Sequence, residues 1–263
     1  MQTRYPIMLV HGLAMKDVLF MRSFGSIDRM LRREGYQVAV SRVDGFGSIE
    51  GNAAQLKAEV CSLLQETGAE KVNLIAHSKG GLDAKYMIAQ LDMAEKTASL
   101  TTLCTPHRGT PVANFVLRLP KWLLRPAAVV VNGVYRLLGD RHPDCLAAVN
   151  QLKRLEKDLG QEMVNISDRV YCQSFSAVMR KGDPNADFVM RIPLLVSRYM
   201  EKGRETDGMV PKDSAIFGTY RGEALDGSVS HTEMVDFLVT KKKRERIHGF
   251  YSALCQELAR MGF

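Results

Sequence analysis

Paired cysteines, long apolar runs and aromatic side chains are all scarce in this 263-residue chain. The five cysteines, Cys61, Cys104, Cys145, Cys172 and Cys255, are odd in number, widely spaced and form no Cys-x-x-Cys pair. That pattern excludes a disulfide framework and a zinc site of ordinary spacing, and it predicts reduced thiols. No stretch approaches the roughly 18 apolar residues of a spanning helix. The longest apolar region, Trp122 to Leu138, is broken by Arg125, Pro126, Asn132, Gly133 and Arg136. The apolar segment near the start, Ile7 to Val10, is shorter than the roughly 7–15 residues of a signal-peptide core. A cytoplasmic protein is expected unless a leader was removed. The sequence also lacks a phosphate-binding Gly-Lys-Ser/Thr loop and a His-Glu-x-x-His helix, and in Gly45-Phe46-Gly47-Ser48-Ile49-Glu50 a glutamate replaces the last glycine of a dinucleotide fingerprint. Neither a cofactor nor a metal is expected.

What is present is an ordinary globular composition, 46% apolar and 25% charged, with 36 basic against 29 acidic residues for a net charge of +7. With few aromatics and no nucleic-acid module, that charge predicts no nucleic-acid partner. Short β-branched runs at Ile7–Val10, Gln37–Val43, Val72–Ala76, Ser99–Cys104 and Tyr171–Val178 alternate with segments of helical period. Such alternation predicts an α/β fold with a mostly parallel central sheet flanked by helices. From Glu50 to Thr67, Ala53, Leu56, Val60 and Leu63 or Leu64 recur at helical spacing, and Gly68 supplies the stop. Residues 111–168 break the alternation: they are helical, apolar and basic, an insertion between core segments 1–110 and 169–263. Lys241-Lys242-Lys243-Arg244-Glu245-Arg246 opens a terminal helix whose Ile247, Phe250 or Tyr251, Leu254 and Leu258 share a face; its charges read as a solvated first turn.

The chemistry concentrates at Val72-Asn73-Leu74-Ile75-Ala76-His77-Ser78-Lys79-Gly80-Gly81, a strand entering a small-x-Ser-x-Gly turn that opens a helix. This is the context of a nucleophile elbow. The turn holds the serine in a strained conformation, so the residues two before and two after it, Ala76 and Gly80, must be small. The amide of Lys79 then points where an oxyanion forms. A second donor is expected from the turn after the first strand, Leu9-Val10-His11-Gly12-Leu13, at the amide of Leu13. A serine needs a base, and in this fold class the order is Ser, acid, His. Of the late histidines, His248 falls within the terminal helix and His231 lies in a loop before the helix-like Met234–Val239 segment, so His231 is favoured. The acid lies between Ser78 and His231: Asp207, in a Thr-Asp-Gly turn, is best placed, with Asp183, Asp187, Asp213 and Asp226 competing on position.

These residues resemble the bacterial triacylglycerol lipases of the α/β-hydrolase fold. The resemblance runs through Tyr5-Pro6-Ile7-Met8-Leu9-Val10-His11-Gly12-Leu13, the elbow at Ser78, Ser99 to Pro111 with its Cys104-Thr105-Pro106-His107-Arg108-Gly109 core, Asp207-Gly208-Met209-Val210 and Ser230-His231, in the family's order. It implies Ser78 as nucleophile, Asp207 as acid, His231 as base, and the amides of Leu13 and Lys79 as the oxyanion hole. It also makes residues 111–168 similar to a helical lid over an acyl-binding cleft, with an acyl ester or lipid as substrate and lipid surfaces as transient contacts. Where some relatives carry calcium near the histidine, this chain has Glu233 and Asp236, too few oxygens to specify a calcium shell. The expected activity is serine ester hydrolysis; an acyltransferase or thioesterase using the same triad, or a non-catalytic lipid binder, are the alternatives.

Overall fold

The computed structural model describes residues 2–17, 22–154, 166, 169–180 and 187–263. Six parallel strands form one sheet in the order β2-β1-β3-β4-β5-β6. They are β1 (Ile7–Val10), β2 (Val38–Val40), β3 (Val72–His77), β4 (Thr97–Leu103), β5 (Tyr171–Ser176) and β6 (Thr219–Glu223). The helices are α1 (Ile27–Arg33), α2 (Ile49–Thr67), α3 (Lys79–Gln90), α4 (Pro111–Arg118), α5 (Lys121–Leu137), α6 (Cys145–Asn150), α7 (Arg191–Met200) and α8 (Lys241–Arg260).

Strand β1 shows how sequence becomes layers. All four of its residues are buried, and the two-residue side-chain period sends them to opposite faces. Met8 and Val10 join Ala53, Leu56, Val60 and Met87 of α2 and α3. Ile7 and Leu9 join Ile27 and Leu31 of α1 and Ile247, Tyr251 and Leu254 of α8. Helix α2 starts where the Ser48 side chain accepts the Gly51 amide and stops at Gly68 in the left-handed region (φ 68°). Winding passes from β1 to β2 on one side and then to β3 on the other, so the carboxyl ends of β1 and β3 flank the point where strand order reverses. In open α/β sheets that crevice is where ligands bind.

Four features depart from the sequence reading. The second strand is shorter than Gln37–Val43 and half-buried, as suits a sheet edge. Strand β6, Thr-Tyr-Arg-Gly-Glu, has no apolar run to announce it. Helix α7 had no predicted counterpart. Met234–Val239 holds only a 3-10 turn, Glu233–Val235, because Asp236 (φ 59°) and Leu238 (φ 51°) turn left-handed. In the 111–168 segment the described residues form α4, α5 and α6 and contain no strand; its end at 168, and the acid candidate Asp183, lie outside the described residues.

Candidate active site

The elbow is built by close backbone approach. Ser78 sits between β3 and α3 at φ 55° and ψ −132°, a region that costs a non-glycine residue about 1–3 kcal/mol. Its amide donates to the Leu103 carbonyl (2.9 Å), which pins the turn to β4. A Cβ on Gly12 would lie 2.6 Å from the Ser78 Cβ, and one on Gly80 would lie 2.4 Å from the His11 carbonyl oxygen. Only glycine lets the turn after β1 press against the elbow, which sets Gly12, the residue before Leu13, against Ser78.

Three side chains from distant loops meet at this edge. The Ser78 hydroxyl donates to His231 Nε2 (2.8 Å), and His231 Nδ1 donates to Asp207 Oδ2 (2.7 Å). The other Asp207 oxygen accepts the amides of Met209 (2.9 Å) and Val210 (2.7 Å), so the carboxylate is fully engaged and aimed. The His231 amide donates to the Asp207 carbonyl (2.9 Å), joining the two loops through backbone as well. All three residues are buried, Asp207 most completely. Lys79 is the first residue of α3, where amides have no intrahelical acceptor.

The competing acids do other work. Asp213 pairs with Arg154 (2.6 Å) and Arg204 (2.5 Å). Asp187 accepts the hydroxyls of Ser230 (2.8 Å) and Thr232, gripping the histidine loop on both sides of His231. Asp226 offers its carbonyl to Arg246. His248 lies on α8 beside Ser26 (3.2 Å) and Asp236 (3.3 Å). Glu233 pairs with Lys243 (2.7 Å) and Asp236 with Arg244 (2.7 Å), so two cations of the terminal cluster bind the acids that follow His231.

Several supporting residues escaped the sequence reading. His77 Nε2 donates to the His231 carbonyl (3.0 Å), with its ring 4.5 Å from the His231 ring. Burial, then the nearby His231, pushes the His77 pKa well below the ordinary imidazole value and keeps it neutral. Lys79 is buried and pairs with Asp83 (2.7 Å), whose carboxyl burial pushes up to about 6. The i, i+4 spacing of that pair is readable in sequence, but its burial is not. Cys104 (φ 52°) places its sulfur within 4.8 Å of ligand atoms of Asp207 and His231, the one cluster of metal-binding type among the described residues. Burial, with Asp207 alongside, pushes the thiol pKa well up, so it stands as a neutral SH beside the carboxylate.

A family model described as "Putative serine esterase (DUF676)" matches residues 7–179, more than half of the chain. The chain belongs to this family. Among curated proteins, this DUF676 member is 46% identical over 116 residues to a triacylglycerol lipase of Vibrio cholerae, covering 44% of this chain and 36% of that one. It is 28% identical over 259 residues to triacylglycerol lipase 2 of Saccharomyces cerevisiae, covering 90% and 73%. The match thus spans about a third of the length of the Vibrio relative (36%) and most of the yeast one. Among solved structures, the metagenomic carboxyl esterase MGS0156 superposes with a TM-score of 0.73 at 20% identity, covering 96% of this chain and 76% of that one. Staphylococcus hyicus lipase gives 0.70 at 16% identity, covering 97% and 95%. At such identities the structural likeness establishes the α/β fold of this DUF676 protein.

Proposed function

We propose that this protein is a serine carboxylester hydrolase that cleaves apolar acyl esters through an acyl-enzyme. The observation that carries the reading is the continuous hydrogen-bonded chain Ser78–His231–Asp207 at the switch point of the sheet. Ser78 Oγ attacks the ester carbonyl carbon while its proton passes to His231 Nε2. The carbonyl oxygen, now an oxyanion, takes hydrogen bonds from the Leu13 and Lys79 amides. The bond to the alkoxy group then breaks, and His231 returns the proton to the departing alcohol. Water enters, gives a proton to His231 and its oxygen to the acyl carbon, and the acid leaves as Ser78 recovers its proton. Asp207 holds the Nδ1–H tautomer and stabilises the imidazolium.

The insertion serves as the cap over the acyl cleft. In its favour, α5 exposes Trp122, Val129, Val130 and Leu137 and buries only Ala128, an apolar surface that an acyl chain or a lipid aggregate would cover. The names of the lipase relatives agree with a lipid ester as substrate.

The test is hydrolysis of p-nitrophenyl esters from C2 to C16 by wild type and Ser78→Ala, with fluorophosphonate labelling of both. Activity and labelling that vanish together with Ser78, and an optimum at medium or long chains, are expected. A wild type that neither turns over nor labels in the presence of lipid overturns the hydrolase reading in favour of a lipid binder; acyl transfer to added alcohol in preference to water makes it a transferase.

A further inference from the structure

We infer that Tyr135, at the end of α5, and the Lys16–Asp140 ion pair are positioning residues that brace the oxyanion loop, an inference resting on the hydrolase reading above. Leu13 lies one residue before Ala14, which adopts φ 60° without being glycine. A left-handed residue in a loop persists only where its surroundings hold it. Here both sides of Ala14 are held: its amide donates to the Gly45 carbonyl (2.9 Å), and its carbonyl accepts the Tyr135 hydroxyl (2.6 Å). Two residues on, Lys16 Nζ meets Asp140 Oδ1 at 2.6 Å, with the Asp140 side chain fully buried. The Leu13 N–H belongs to the Gly12–Leu13 peptide, whose Gly12 carbonyl accepts the Met15 amide (3.4 Å) across Ala14, so holding Ala14 on both sides restrains the direction in which the Leu13 amide points.

The seat of Tyr135 is built for it. Its ring meets Phe46 edge-on at 4.5 Å, and a Cβ on Gly45 would lie 2.6 Å from the ring. Asp140 Oδ2 accepts the Phe46 amide (3.0 Å), and the Asp44 carboxylate accepts the amides of Arg141 and His142 (2.8 Å each). The same loop reaches the second oxyanion residue. Asn52 donates to the Asp44 carbonyl (2.9 Å) and to Asp83 (3.1 Å), which pairs with Lys79. The residue after Leu13 and the side chain of Lys79 are therefore both tied to residues 44–46, and the end of α5 closes the brace. Burial pushes the Tyr135 phenol upward, so the hydroxyl keeps its proton as a donor.

The experiment compares wild type, Tyr135→Phe and Lys16→Met on a soluble ester, p-nitrophenyl butyrate, with Ser78→Ala as the blank. Four quantities are read: kcat, KM, Tm and affinity for an alkyl boronic acid, whose tetrahedral adduct places an oxyanion between the two amides. Losing an oxyanion donor outright costs about 10²–10³ in kcat, and letting one drift is expected to cost about tenfold. Boronate affinity should weaken by a similar factor, with KM within about twofold; Tm should change little in Tyr135→Phe and fall in Lys16→Met, which leaves the buried Asp140 carboxylate without its cation. Wild-type kcat and boronate affinity in both variants would overturn the brace, as would a rise in kcat, which would make the bond a restraint on the closed insertion. Losses that merely track a lowered Tm in both variants would also overturn it. Absence of Ser78-dependent turnover in the wild type brings down the hydrolase reading itself, and the brace with it.

Discussion

Helices α3 and α5 are both apolar enough to pack, yet they meet opposite fates. In α3 nine of twelve residues are buried, Lys79 and Lys85 among them, because the helix is pressed between the sheet and α2. In α5 only Ala128 of seventeen residues is buried, while Trp122 is 76% and Leu137 89% exposed. The difference separates two demands on one site. The strained Ser78 turn at the start of α3 needs a surround that cannot relax. In the function proposed above, an acyl chain needs apolar surface that the protein has not already covered with itself; α5 exposes such surface while being fastened at its far end by Tyr135 and Asp140.

The sharpest way to break the comparison is at the rigid pole. Ser78→Ala should leave the fold intact and lower ester hydrolysis by on the order of 10⁴-fold or more, measured as kcat/KM on p-nitrophenyl butyrate. Asp207→Asn keeps the shape but offers His231 an amide, and its kcat should fall by about 10³–10⁴-fold with KM little altered. Matched truncations then compare the two poles in stability. Ile75→Ala in fully buried β3 should cost about 2–5 kcal/mol in urea unfolding. Val129→Ala, at a site 72% exposed, should stay within about 0.5 kcal/mol while lowering turnover of long-chain esters more than of butyrate. Equal costs at the two positions would mean that α5 is covered in solution.

The smallest effect concerns pH. Asp83 has its carboxyl raised from the ordinary 3.8 to about 6 by burial, so the folded protein holds this proton more tightly than the unfolded chain. Stability from this group is present below about pH 4 and is lost as pH rises from there to about 6, with no further slope above. A Lys79→Met/Asp83→Leu double variant, which leaves no unpaired buried charge, should show a flatter pH–stability curve in that window by thermal unfolding.

Much of this was readable along the chain because it rests on local rules. Five of the six strands declare themselves through β-branched runs, α2 through its period and its Gly68 stop, and the elbow through small residues on both sides of Ser78. Strand β6 and helix α7 do not: β6 pairs at the sheet margin, where nothing apolar is required, and α7 exposes Ile192, Leu195 and Tyr199 in a pattern no core demanded. Among the acids, Asp207 is favoured by its Thr-Asp-Gly turn, while Asp187 competes on position. Asp207 meets His231 Nδ1 and Asp187 the hydroxyls on either side of that histidine, and the path of the chain gives Asp187 this second role, which the sequence did not announce.

Ser78, His231 and the order of the motifs belong to the sequence, since residue type and neighbouring turn chemistry limit which side chains suit a nucleophile and its base. The pairing of Asp207 with His231, the neutral His77 behind it, the buried Lys79–Asp83 pair and the hold of Tyr135 on Ala14 belong to the tertiary structure. Each depends on a distance between groups separated in the chain, or on burial that changes a charge. Those quantities come into being only when β1, β3 and the loops around them close on one another and exclude water.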